Sequence, residues 1–358
     1  MTSVRIVVFG QGFARSVVLP CLRHVPGAQV VGMASPSLAR LRETAAAFGV
    51  AAVSDDHREI LDRTRPDLAI IATPPHRHAE QAIDALRAGC HVLCEKPMAL
   101  DSAEAGRMVE AAAARPDRLA LIDHELRLLP ARVRLAQLVA DGELGRLQRL
   151  EYFMHSSFRR RPEQPWSWWS DAGCGGGMLG ALGSHAVDAL RRLGGEIVEV
   201  RGRLETGAPA RPDPATGVPR PITADDVAEA WLRFASGAQG TFLLSALEAE
   251  RIHRLTLSGT EGWAQLEEQR PLRVARRDME PQPVEIPEEL PSSSELGIPD
   301  TDWARAFLRL ARALVSAIAE GGDLPAAASF ADGLAVQRVL DAVRISAARE
   351  AWEPVVSR

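Results

Sequence analysis

Short apolar runs alternate with amphipathic stretches along the first third of the chain. Val4–Phe9, Gln29–Ala34, Leu68–Ala72, His91–Cys94 and Leu119–Asp123 read as buried strands, each closed by polar or turn-forming residues. Between them, Ala14–His24, Ser37–Phe48, Arg58–Arg63, Ala79–Ala88 and Ala103–Ala114 carry the three-to-four-residue apolar spacing of helices. Strands separated by helices require right-handed crossovers and a parallel sheet. A doubly wound parallel sheet is therefore expected over residues 1–123.

After one more helix, Ala131–Ala140, the pattern changes. Gln148–Phe158, Ile197–Glu205, Val227–Phe234, Gln239–Ala246, Ile252–Ser258 and Trp263–Glu267 look like longer strands at hairpin spacing, with Ser236-Gly237 as one turn. Residues 124–358 are thus expected to form an α+β domain around a large, mostly antiparallel open sheet. Thr206–Thr223, with five prolines, and Met279–Asp300 read as loops. Helices Trp303–Glu320 and Phe330–Ala348 end the chain, and the last is expected to reach back to the N-terminal domain.

Composition narrows the class. The chain has 358 residues, which favours two domains, with 46% apolar and 25% charged residues, as in an ordinary globular enzyme. A net charge of −5 argues against nucleic acid as a partner. The clustered Arg159-Arg160-Arg161 and Trp166, Trp168 and Trp169 are read accordingly as a loop of the second domain. No apolar run approaches the roughly 18 residues that span a membrane. Val4–Phe9 reads as a strand and not a leader, lacking a basic flank and cleavage site. Cys21, Cys90, Cys94 and Cys174 show no metal or redox spacing and suit a reducing cytoplasm.

The candidate chemistry gathers at strand ends. Of 42 basic residues only Lys96 is a lysine, in Glu95-Lys96-Pro97 directly after an apolar run. A guanidinium cannot replace a compact, titratable ammonium, so the exception points to a function. Gly10-Gln11-Gly12 follows the first strand and opens a helix. That context suits a dinucleotide pyrophosphate at the helix N-terminus, although Arg15 occupies the third glycine position. The second strand ends in Ser35-Pro36-Ser37 without the carboxylate that would bind an adenosine 2′-hydroxyl. Ser35 is expected as the helix N-cap and Pro36 as its first residue. With Arg40 one turn in, this end could accept a 2′-phosphate, so NADP is favoured slightly over NAD.

Thr73 and Pro74 end the next strand, just before His76 and His78, which lack the further ligands of a metal site. Gly12, Ser35, Thr73 and Lys96 therefore converge on the carboxyl edge of one sheet, where such folds bind ligands. In the second domain, Gly175-Gly176-Gly177 leads to Gly183-Ser184-His185 and Asp188. His185 and Asp188 share a helix face, and His185 could take a proton while hydride leaves carbon. Tyr152 is the sole tyrosine, which excludes a Tyr-x-x-x-Lys dehydrogenase.

These motifs, with Leu19-Pro20, Ile71-Ala72, Gly142-Glu143-Leu144-Gly145 and the C-terminal Asp332-Gly333-Leu334 and Gln337-Arg338-Val339, resemble the Gfo/Idh/MocA oxidoreductases. The resemblance implies a Rossmann domain, a C-terminal sheet domain for substrate binding and dimerisation, and NAD(P)-linked oxidation or reduction of sugars or polyols. It implies a homodimer or homotetramer. Lys96 would stabilise alkoxide charge and His185 would act as general acid/base. Coenzyme contacts are expected from Gly10, Gln11, Gly12, Phe13, Ala14, Ser35, Ser37, Arg40, Thr73, Pro74, His78, Glu95 and Lys96. Substrate contacts are expected from Lys96, Glu125, Arg127, His185 and Asp188. Where the family commonly has aspartate four residues before the histidine, this chain has Ala181, and Glu125 is the candidate substitute. A dinucleotide-binding sensor, a dihydrodiol-type dehydrogenase and an NAD-recycling lyase are the competing readings.

Overall fold

The computed structural model of the protein describes residues 3–356, which divide into two compact units. The first comprises residues up to Leu129 together with Glu288–Leu334, and the second Pro130–Pro287 with residues from Ala335 onward.

The first unit is built on six parallel strands: β1 (Val4–Phe9), β2 (Ala28–Ala34), β3 (Ala52–Ser54), β4 (Leu68–Ile71), β5 (His91–Cys94) and β6 (Ala120–Ile122). Their order is β6-β5-β4-β1-β2-β3, with the short antiparallel strand Ala328–Ser329 added beside β6. The order reverses between β4 and β1, the switch point at which a crevice opens in doubly wound sheets. Alternation along β1 supplies both cores. Ile6 and Val8 face one layer and Val7 and Phe9 the other, and all four are fully buried. The first layer includes Leu41 of helix Leu38–Phe48 and Phe307, Leu310 and Leu314 of helix Asp302–Glu320. The second includes Ile60, Ala82, Leu86 and Met108 of helices His57–Thr64, His78–Arg87 and Ser102–Ala113.

A boundary at 123 would leave everything beyond it in one domain, but the chain returns at 288–334. The reason is the apolar stripe of helix Asp302–Glu320, which covers the sheet beside Val8 and Ile70. β3 was not expected from the sequence, because three residues are too short to show a period.

The second unit carries a nine-stranded sheet in which Leu147–His155 pairs parallel with Gln239–Ser245 and every other pairing is antiparallel. Val227–Phe234 alternates strictly, burying Ala228, Ala230, Leu232 and Phe234 while Trp231 is 52% exposed. One face is therefore packed and the other open. Leu272–Arg276 and Gln282–Val284 extend this sheet, the latter inside a stretch expected to be loop. Ala210–Pro212 and Pro219–Pro221 pair with each other inside the other expected loop.

Candidate functional site

Turns after β1, β2, β4 and β5 build one carboxyl edge in the first unit. Gly10 has φ +104°, and a β-carbon there would overlap the Ala72 carbonyl at the end of β4. Only glycine allows the two strand ends to approach this closely. The chain then turns helical, π-helical over Ala14–Val18 and α-helical over Leu19–Leu22. A β-carbon on Gly12 would meet nothing within 4 Å. The space above the first helical turn is thus open, which fits the backbone approach of a pyrophosphate. Phe13 stacks edge-on to Phe307 with ring centres 6.3 Å apart, and Ala14 is buried.

After β2 the expected cap moves by two residues. The helix spans Leu38–Phe48, Ser37 is its N-cap, and Pro36 lies outside. The N–H of Ser35 is already committed to the Ser54 carbonyl of β3 at 3.1 Å, which keeps Ser35 paired with that strand and buried. Gln11 Nε2 donates to the Ser37 carbonyl at 2.9 Å, tying the glycine turn to this helix start. Ser37 and Arg40 are exposed.

Thr73 Oγ1 bonds Gln81 at 2.6 Å. His78 is fully buried, with Nε2 2.7 Å from the Thr73 carbonyl and Nδ1 3.0 Å from the Pro97 carbonyl. Burial dominates its titration and lowers its pKa to about 4, against the backbone hydrogen bonds that raise it. A neutral ring donates through one nitrogen only, so His78 gives its proton to one of these two carbonyls while lying between the turns after β4 and β5.

Lys96, half-buried, follows β5, and its Nζ lies 5.8 Å from the Trp303 ring centre. Around it are buried acids: Glu95, Asp123 and Glu125 are 8%, 1% and 1% exposed. Glu125 and Arg127 sit in the short helix Glu125–Leu128. Arg127 Nη1 pairs with Asp332 at 3.5 Å and donates to the Ala327 carbonyl at 3.3 Å. Burial raises the Asp332 pKa, but Arg127 and the Ser329 hydrogen bonds outweigh it and leave it lowered. The edge therefore holds Gly10, Gln11, Gly12, Thr73, Glu95, Lys96 and Glu125 together. Asp123 and Trp303 are additions, since a lone aspartate at a strand end and a tryptophan far along the chain carry no motif.

In the second unit the glycine-rich stretch runs into a π-helical turn, Leu179–Gly183, and then helix Ser184–Gly194. Gly177 has φ +100°, and a β-carbon there would collide with the Asp225 carboxylate. Asp225 accepts from the Leu179 N–H at 2.8 Å and so holds the start of this helix. Burial raises its pKa to about 6. His185 and Asp188 are buried at 2% and 3% exposure, and Ala181 at 3%. The arginine and tryptophan cluster is internal to this unit. Arg159 bonds Asp226 and Ser170, Arg211 donates to the Arg159 and Arg161 carbonyls, and Arg220 stacks on Trp166. Buried Tyr152 bonds His253 at 2.7 Å.

Among the described residues, no helix is long and apolar enough to cross a membrane, and no cluster of His, Cys, Asp and Glu suits a metal.

Two family models match the chain. One, described as an oxidoreductase family with an NAD-binding Rossmann fold, covers residues 4–122, and a GFO/IDH/MocA C-terminal domain covers residues 133–265. A levoglucosan dehydrogenase of Pseudarthrobacter phenanthrenivorans is 31% identical, over 92% of this chain and 90% of its own. Among solved structures, an oxidoreductase domain protein from Kribbella flavida has 30% identity and TM-score 0.89, with both chains fully covered. A levoglucosan dehydrogenase in complex with NADH and L-sorbose has 26% identity and TM-score 0.89, again over both full chains.

Proposed function

Since this chain belongs to the Gfo/Idh/MocA oxidoreductases and carries their NAD-binding Rossmann fold, we propose that it moves a hydride between nicotinamide coenzyme and a hydroxyl-bearing carbon of a sugar or polyol. The observation that carries this reading is the placement of the only lysine, Lys96, on the same carboxyl edge as the Gly10–Gly12 turn.

The residues divide the work. Gly10, Gln11, Gly12, Phe13 and Ala14 bind the pyrophosphate end, with Thr73, Pro74 and Glu95 along the edge and His78 acting through the turns that it lies between. A bound nicotinamide supplies the hydride acceptor or donor. The Lys96 ammonium holds the substrate oxygen and offsets negative charge that grows there. His185 takes the hydroxyl proton during oxidation and returns it during reduction. Glu125, Arg127 and Asp188 orient the remaining hydroxyls, with Glu125 in the part that Ala181 cannot play. The unit formed by 130–287 and the C-terminal residues contributes His185 and Asp188 to substrate binding. Its open sheet face, with Trp231 and Val198 exposed, is the surface on which a homo-oligomer would form.

NADP is the sharper proposal for the coenzyme. Its support is an exposed Ser37 and Arg40 at the start of helix Leu38–Phe48, and no carboxylate at the end of β2. A thermal-shift screen with NAD, NADP, sugars and anhydrosugars identifies the pair. Lys96→Met is then expected to abolish turnover while coenzyme affinity stays within about twofold, a change under 0.5 kcal/mol. Full turnover in that variant overturns the assignment.

A further inference from the structure

Three carboxyl groups meet where β5 and β6 end. Cys94 pairs with Ile122, so the next residues, Glu95 and Asp123, stand side by side on neighbouring strands. Both are held there: the Glu95 N–H donates to the Ile71 carbonyl and the Asp123 N–H to the Cys94 carbonyl, each at 2.8 Å. Glu95 Oε2 accepts from the Lys96 N–H at 3.2 Å. Its Oε1 and both Asp123 oxygens are buried and meet no donor among the described residues. Two facing carboxylates cannot satisfy each other, whereas a carboxylic acid and a carboxylate can, through one shared proton.

We propose that Asp123 is a positioning residue that stays protonated, donates its O–H to Glu95, and so fixes the carboxylate next to Lys96. The proposal deepens the functional reading above, since it concerns the group that holds the substrate oxygen. Burial raises the Asp123 pKa most, the charges of Glu125 and Glu95 raise it further, and Lys96 opposes them, whereas on Glu95 burial is opposed by both Lys96 and the hydrogen bond from Asp123. The nearby thiols of Cys94 and Cys21 are themselves pushed up by burial and stay neutral. A neutral Asp123 orients Glu95 without adding another negative charge that would draw the ammonium down from the edge.

The single lysine makes the test direct. Full-length protein labelled with ε-¹³C-lysine gives one lysine signal, and its position and width report the surroundings of Lys96 without coenzyme or substrate. Glu95→Gln removes the charge beside the ammonium and displaces that signal. Asp123→Asn removes none and leaves it unchanged, while Asp123→Leu broadens or doubles the signal because the orienting donor is lost. An Asp123→Asn protein whose lysine signal moves as far as that of Glu95→Gln overturns the proposal.

Infrared spectra of the wild-type protein provide the check that needs no variant to fold. The C=O stretch of a buried carboxylic acid, shifting in D₂O, is expected at neutral pH. Absence of that band overturns the proposal. Failure to find an oxidisable sugar would leave both results standing, so the two readings fail separately.

Discussion

The Lys96 ammonium faces the Trp303 indole at 5.8 Å, a contact between the mouth of β5 and the first turn of helix Asp302–Glu320. The ring's electron-rich face attracts a cation and limits the rotamers of a long, flexible side chain. Lysine and tryptophan thus reach the same edge from distant parts of the chain. Trp303→Leu is expected to keep the fold and lower kcat/KM about tenfold, the loss of roughly 1.4 kcal/mol. Steady-state kinetics on the sugar found in the screen check this, and an unchanged kcat/KM would remove the ring from the account.

Gly10 and Gly12 predict opposite outcomes from the same substitution. Gly10→Ala puts a methyl group into the Ala72 carbonyl at positive φ, so a loss of about 3 kcal/mol is expected in urea unfolding. Gly12→Ala meets no protein atom within 4 Å, so stability holds while NADPH affinity falls at least about tenfold. Fluorescence titration of NADPH separates the two, and normal affinity in Gly12→Ala would move the pyrophosphate elsewhere.

His78 sets an acid limit. Its folded pKa, about 4, lies below the ordinary value of 6.5, so the unfolded state binds the proton first. Stability is therefore lost as pH falls from about 6.5 towards 4, by up to about 3 kcal/mol from this group. His253, lowered to about 3 by burial and Arg132, acts in the same direction. Urea midpoints measured across that range should fall less steeply in His78→Gln than in the wild type.

Asp225 works against this trend. Its folded pKa, about 6, is above the ordinary 3.8, so the protonated form is favoured in the folded state. It contributes stability as pH falls from 6 to 4, and that stability is lost as pH rises through 6, by about 3 kcal/mol. Asp225→Asn should therefore steepen the net acid loss. An unchanged slope would mean that this carboxyl titrates normally.

The sequence made visible what is local. Val4–Phe9, His91–Cys94, Ile197–Glu205 and Val227–Phe234 are strands with the bounds their apolar patterns suggest, because turn residues flank each one. The Gly10–Gly12 turn and Lys96 announce themselves by residue type. Pro36 misled, because a proline after serine looks like a helix start, whereas Ser35 stays paired with β3 and the helix is delayed to Leu38. Gln282–Val284 hid behind its proline. Asp123, Trp303 and the Arg127–Asp332 pair were invisible, since each takes its meaning from a partner brought in by tertiary folding.

The return of helix Asp302–Glu320 to the sheet has a consequence for biosynthesis. During synthesis β1 and β4 leave the ribosome long before Phe307, Leu310 and Leu314 exist to shield them. The nascent coenzyme domain must wait with one oily flank bare, and a fragment stopped at 123 would keep that flank for good and clump.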